Sequence, residues 1–294
     1  MRAPLRFAPL ARLSRLRRAN PLAWSRWVVL AALLLLTVGS WALTVYQAET
    51  MGMPMGVAVR GGANAGMDGV GRMASSGMTA AGWSVGGAAT FLAAWAVMMA
   101  AMMLPAAAPM VLLFGTVQAQ RRGQPTFVPT WIFVAGYLLV WSAVGLAVYL
   151  LVRLGSDLAT HLGRADRETW APFALGATLV AAGLYQLTPL KRVCLNHCRS
   201  PLGFVMGHWR DGRLGALRMG FRHGAYCLGC CWALFAVLVA AGVMSLAWMA
   251  LLTLVVFVEK VLPQGRRVAV GVGAGFVVLG LLVAVGVAPM PWTA

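Results

Sequence analysis

Apolar runs of roughly 17–25 residues recur along this chain, and a bilayer needs about 20 such residues for each helical crossing. Seven runs can be marked: about Trp27 to Tyr46, Val85 to Val117, Phe127 to Val152, Trp170 to Pro189, Tyr226 to Val243, Leu246 to Leu262 and Val268 to Val287. Pro105 and Pro109 predict a kink or break in the second run. A soluble fold has no place for this surface. Apolar residues make up 61% of 294 residues and charged residues only 11%, against about 45–50% and about 25% in soluble domains. The expected fold is all-α: a polytopic membrane helix bundle of about seven transmembrane helices over residues 27–294, behind a basic tail over residues 1–26.

The net charge of +17 does not point to nucleic acid. The charges fall between apolar blocks and no base-reading motif accompanies them. They read instead as topology signals. Seven Arg precede the first run, Arg60 and Arg72 lie in the next connection, and Arg121 and Arg122 in the one after. Arg153, Arg164 and Arg167 follow, mixed with acids. Seven basic residues then lie between positions 190 and 225, and Lys260, Arg266 and Arg267 close the sixth run. With the N-terminus in the cytoplasm, inner segments hold 19 basic residues and outer ones 5, which is the sense that membrane insertion favours. The first run follows an Arg-rich leader, as a signal peptide does. It is longer than a typical signal core and lacks a convincing cleavage site, so it reads as a retained span.

Two long connections remain. Residues 47–84 form a Met/Gly-rich external loop, expected to be a flexible tether. Residues 190–225 form a basic cytoplasmic loop. Neither is long enough to build a core of its own.

All five cysteines lie between positions 194 and 231. Cys194, His197 and Cys198 follow the fourth run, and Cys227, Cys230 and Cys231 open the fifth. Both groups are expected at the cytoplasmic face, where a reducing compartment keeps thiols free. His223, Cys227, Cys230 and Cys231 have the i, i+4, i+7, i+8 spacing of one helical face, if the helix starts before His223; Gly224 weighs against that start. Thiolate and imidazole suit Cu(I), Zn(II) and similar ions, and nearby basic residues favour the thiolate. One or two such cysteines would be small apolar fillers. Five with two histidines favour a metal site over Cys194, His197, Cys198, His223, Cys227, Cys230 and Cys231. A redox dithiol at Cys227 and Cys230 is the next candidate. His208 reads as a solvated loop residue. His161, beside Asp157, lies in an outer loop and is read blandly as well.

Methionine supplies a second sulfur set. Thioethers bind Cu(I) and barely bind Zn(II). Met51, Met53 and Met55 form a Met-x-Met-x-Met run in the external loop, with Met67, Met73 and Met78 nearby. That loop has no core to fill, so the run is read as possible accessory metal ligands. In the second span Met98 pairs with Met102, and Met99 with Met103, at i,i+4, with Met110 further on. For these, flexible packing is the slightly favoured reading. Glu259 and Lys260 end the sixth run. Glu259 reads equally as a metal ligand or as the partner of an Arg, with Lys260 snorkelling.

Three blocks carry a family resemblance. They are Trp95-Ala-Val-Met-Met-Ala-Ala-Met-Met-Leu-Pro105, Tyr185-Gln-Leu-Thr-Pro-Leu-Lys-Arg-Val-Cys194 with Cys198-Arg-Ser-Pro201, and Gly224-Ala-Tyr-Cys-Leu-Gly-Cys-Cys-Trp-Ala-Leu234 with Trp248-Met249 and Glu259-Lys260. Over roughly residues 85 to 265 the chain resembles the prokaryotic predicted metal-binding integral membrane proteins, domain of unknown function 2182. The resemblance implies metal binding, and some members of that family are labelled copper chaperones.

Copper handling is therefore the first expectation, non-enzymatic and at a bacterial inner (plasma) membrane. It covers binding, chaperoning or transfer of Cu(I), with the lipid bilayer and a copper-dependent membrane enzyme or soluble copper carrier as partners. The alternatives are a thiol-disulfide oxidoreductase using Cys227 and Cys230, or a structural subunit stabilised by zinc. No P-loop, ATPase signature or haem motif is present.

Overall fold

A computed structural model describes residues 21–50, 85–122, 127–160, 164–241 and 246–287. The methionines expected in the external loop and His161 lie outside the described residues. Among the described residues all regular structure is helical: α1 (Pro21–Thr50), α2 (Val85–Arg122), α3 (Phe127–Thr160), α4 (Arg164–Leu187), α5 (Pro189–Arg199), α6 (Pro201–His208), α7 (Gly212–Ala241), α8 (Leu246–Val261) and α9 (Gly265–Ala284).

Each expected span falls on a helix, but the expected count of seven is not reproduced. Five helices are long and apolar enough to cross a membrane alone, namely α1, α2, α3, α7 and α9. The fourth expected span breaks at its end. Pro189 cannot continue the amide ladder, and α4 and α5 meet at 64°. Together they qualify as one broken span, or as a re-entrant segment. The sixth is the 16-residue helix α8, which is about 24 Å long against a hydrocarbon core of about 30 Å. The kink or break expected at Pro105 and Pro109 does not interrupt α2, which runs through both.

The segment read as a basic loop over 190–225 is helical in three pieces. The Thr188 hydroxyl caps α5 by accepting from the Lys191 amide at 3.3 Å, with Pro189 in the first turn. Pro201 likewise stands in the first turn of α6, without a side-chain cap from Ser200. α7 begins at Gly212, well ahead of His223, so the condition on the cysteine face is met. Gly224 does not break it. A Cβ there would lie 2.9 Å from a Val140 methyl, so this glycine serves the close packing of α7 on α3.

The main pairings are α4 with α9, α3 with α7, α1 with α2, α2 with α3, and α5 with α7. Trp95, Met99, Tyr137, Trp141, Cys227 and Met249 share one buried core. Leu35, Val38, Leu150, Leu254 and Leu281 face outward, as helices solvated by lipid require. Small residues also set a close crossing of α4 on α9. A Cβ on Gly183 would lie 2.5 Å from the Gly273 carbonyl, and one on Gly176 2.7 Å from the Gly280 carbonyl, so α4 and α9 touch backbone to backbone.

Substituting Gly183→Leu should therefore wedge α4 from α9 and lower stability by about 2 kcal/mol. Gly271→Ala, where an added Cβ meets nothing within 4 Å, should leave it unchanged. Thermal unfolding of the detergent-solubilised protein measures both.

Candidate metal centre

The centre is built where α5 lies on α7. Lys191, Leu195 and Cys198 are the buried residues of α5, at the i, i+4, i+7 spacing of one helical face. The opposite side of that helix is anchored. The Arg199 guanidinium donates to the backbone carbonyls of Glu259, Leu262 and Pro263 at 2.8, 2.7 and 2.9 Å. Arg266 donates to the Asn196 side-chain oxygen at 2.9 Å. On α7, Gly229 makes room: a Cβ there would sit 2.7 Å from the Cys194 sulfur. The Tyr185 hydroxyl donates to the Gly229 carbonyl, which ties α4 to the same turn.

This packing brings the two cysteine groups together. Cys198 Sγ lies 3.9 Å from Cys230 Sγ, and Cys230 Sγ 3.3 Å from Cys231 Sγ. Cys227 is close enough to interact with all three. The four are buried and none is in a disulfide. Sulfur–metal bonds of about 2.3 Å in a trigonal arrangement place sulfurs about 4 Å apart, so the Cys198–Cys230 spacing already fits a shared ion. Among the described residues no three His, Cys, Asp or Glu side chains stand ready as a metal cage; the fitted unit is that pair of sulfurs.

The other expected ligands are placed elsewhere. Cys194 is half-buried against Gly229 and makes no sulfur contact among the described residues. His197 stacks on Tyr226, centroids 4.2 Å apart and rings within 3° of parallel, with Nδ1 2.9 Å from the Val193 carbonyl. His223 is buried between Phe133 and Tyr137, and its Nδ1 has no hydrogen-bond partner. His208, read from sequence as a solvated loop residue, ends α6 and stacks on Phe204.

The helix that carries the thiols begins earlier than the sequence suggests. Cys227 was expected to open a span at the cytoplasmic face. It is 15 residues into the 30-residue α7, or about 22 Å along it.

Charged side chains complete the site, and sequence reasoning did not find their pairing. Lys260 does not snorkel: its Nζ donates to Cys227 Sγ at 2.9 Å, and it is buried. The Tyr137 hydroxyl is 3.1 Å from the same sulfur. Glu259 pairs with a lysine rather than an arginine. Lys191 Nζ lies 2.7 Å from its carboxylate, both side chains being 1% exposed, and Gln186 Nε2 donates to the other oxygen at 3.2 Å. The available signal was one of composition, two adjacent ionisable residues at the end of an apolar run.

Met98, Met99, Met102 and Met103 are all buried, in the same core as the four thiols, and Met249 of α8 joins them. Met110 packs in a separate cluster.

A family model described as "PpoB2: Copper chaperone" matches residues 92–283, more than half of the chain. No curated protein and no solved structure matches the chain.

Removing one member of the buried ion pair strands the other. Lys191→Met should cost about 3 kcal/mol or more, and Lys191→Met with Glu259→Met should recover most of that loss. Denaturant unfolding of the three proteins in detergent checks the order.

Proposed function

The chain belongs to the PpoB2 copper chaperone family, and from that premise we propose that it binds Cu(I) at the buried thiols and holds it for delivery to a partner. The observation that carries this reading is the 3.9 Å approach of Cys198 and Cys230. They come from different helices and are brought together without a disulfide.

Cys198 and Cys230 are the pair that grips the ion, and Cys231 or Cys227 supplies a third sulfur after a side-chain rotation. Soft sulfur donors in low coordination suit Cu(I). Structural zinc takes a closed tetrahedral set of four ligands, and among the described residues no three or more His, Cys, Asp or Glu are arranged as such a set. Two thiolates around Cu(I) carry one net negative charge. In a low-dielectric interior that charge needs a counter-ion, and Lys260 is already against Cys227. Glu259 is engaged by Lys191 and Gln186, so it supports the site rather than ligating. Met98, Met99, Met102, Met103 and Met249 line the approach to the thiols as neutral thioethers. They bind Cu(I) without losing a proton and exchange it readily.

In the full scheme the N-terminus is cytoplasmic in a bacterial inner (plasma) membrane. Met51, Met53 and Met55 meet copper outside, and the ion moves along α2 to the thiols. From there it passes to a copper-dependent membrane enzyme or a soluble copper carrier. The role is one of binding and transfer, not catalysis.

Metal analysis of protein purified under reducing conditions and loaded with Cu(I) tests the reading. Cys198→Ser and Cys230→Ser should each lose the tightly held equivalent, at least a hundred-fold in affinity, whereas Cys194→Ser should retain it. Zinc displacing Cu(I) at equal concentration, or Cys194→Ser behaving like Cys230→Ser, would overturn the assignment.

A further inference from the structure

His197 leaves the thiol cluster for a partner that the sequence did not suggest. Its ring and that of His208 have centroids 6.5 Å apart and planes at 61°, and both rings are half-buried. Each sits in the last turn of its helix. His197 Nδ1 meets the Val193 carbonyl at 2.9 Å and His208 Nδ1 meets the Phe204 carbonyl at 3.1 Å. A carbonyl only accepts, so Nδ1 is the donor in each ring and Nε2 is the nitrogen left to meet a ligand. A backbone carbonyl on the far nitrogen is the arrangement that orients metal-binding imidazoles. Each ring is also clamped by an aromatic face, His197 by Tyr226 at 4.2 Å and His208 by Phe204 at 4.9 Å.

We infer that His197 and His208 form a second, two-coordinate site for a soft monovalent metal ion, at the outer edge of the thiol centre. The inference rests on the Cu(I) reading above and adds the port through which the ion enters or leaves. A metal–nitrogen bond of about 2.0 Å, with the ring centre about 1.1 Å behind the nitrogen, puts two centroids about 6.2 Å apart for a straight N–metal–N line. A tetrahedral angle would need about 5 Å. Two rings with centroids 6.5 Å apart leave room for a linear ion between their Nε2 atoms, a geometry that Cu(I) and Ag(I) accept and Zn(II) does not. A straight line also leaves the angle between the ring planes free.

The surroundings choose charge as well. Arg210, Arg218 and Arg222 line a cavity of about 450 Å³ beside His208. Their repulsion is twice as strong for a divalent ion as for a monovalent one. Chain continuity then links port to centre, because His197 precedes Cys198 and Tyr226 precedes Cys227. Neutral imidazole holds Cu(I) less tightly than thiolate, so transfer inward runs downhill.

Anaerobic Cu(I) titration of the full chain in detergent, against a colorimetric Cu(I) chelator, tests this. His197→Phe and His208→Phe keep the aromatic stacking and remove the nitrogens. Each alone should lose the same single, weaker equivalent, and the double substitution should lose no more. Cys198→Ser with Cys230→Ser should lose the tighter equivalent and retain the weaker one. If both Phe variants titrate as the wild type, or only one of them loses copper, the two-histidine site is overturned. If the cysteine pair substitution changes nothing, the thiol reading fails while the histidine result stands. Should one Phe variant not purify as a single species, the other lies on a different helix and decides alone.

Discussion

The Lys191–Glu259 ion pair is the contact on which the centre depends. Two charges at 1% exposure are costly to bury, and Coulomb attraction repays the cost only when geometry is good and the remaining atoms are bonded. Here one carboxylate oxygen takes the ammonium and the other takes the Gln186 amide. That fixes α5 against the end of α8. With α5 fixed, Cys198 falls over Cys230. With the end of α8 fixed, the next residue, Lys260, falls against Cys227. Two adjacent residues of α8 thus serve different tasks: Glu259 locks the helix that carries a thiol, and Lys260 supplies charge to the thiols themselves.

A second constraint is steric. α5 can approach α7 only because position 229 carries no side chain, since any Cβ there would overlap the space of the Cys194 sulfur. Cys194 therefore acts as a spacer against the backbone, while Cys198, one turn on, reaches the other thiols. Two cysteines four residues apart on one helix end with different roles because a single glycine faces one of them.

Local periodicity was legible in the sequence and long-range pairing was not. The helix under each apolar run, and the shared face of Cys227, Cys230 and Cys231, follow from spacing within one segment. Those features need no knowledge of neighbours. The helices within 190–225 were also written there, in Thr188-Pro189 and Ser200-Pro201. Their basic residues suggested solvent and hid the capping pattern. Lys191 with Glu259 and His197 with His208 depend on which helices touch, which no periodicity within one segment encodes. The start of the helix was misjudged for a related reason. Tyr226 looked like a span boundary because the residues before it are basic, yet the helix continues back to Gly212, and the thiols sit halfway along it.

On the proposed Cu(I) reading, the burial of the thiols bears on how copper can be held and yet passed on. A thiol site at the surface competes with every soluble thiol, whereas these sulfurs are 8% exposed or less and an ion must be handed to them. The donors form a graded series: thioethers on α2 and α8, imidazoles at the ends of α5 and α6, and thiols between α5 and α7. Affinity for a soft ion rises along it toward the thiolates. Departure from the deepest point then needs a partner with comparable sulfur ligands, or a shift of α5 that separates Cys198 from Cys230. α5 is the element such a shift would move, because it carries Cys198 and follows a 64° break, and its movement would first have to release the Lys191–Glu259 pair and the Arg199 contacts that lock it to α8.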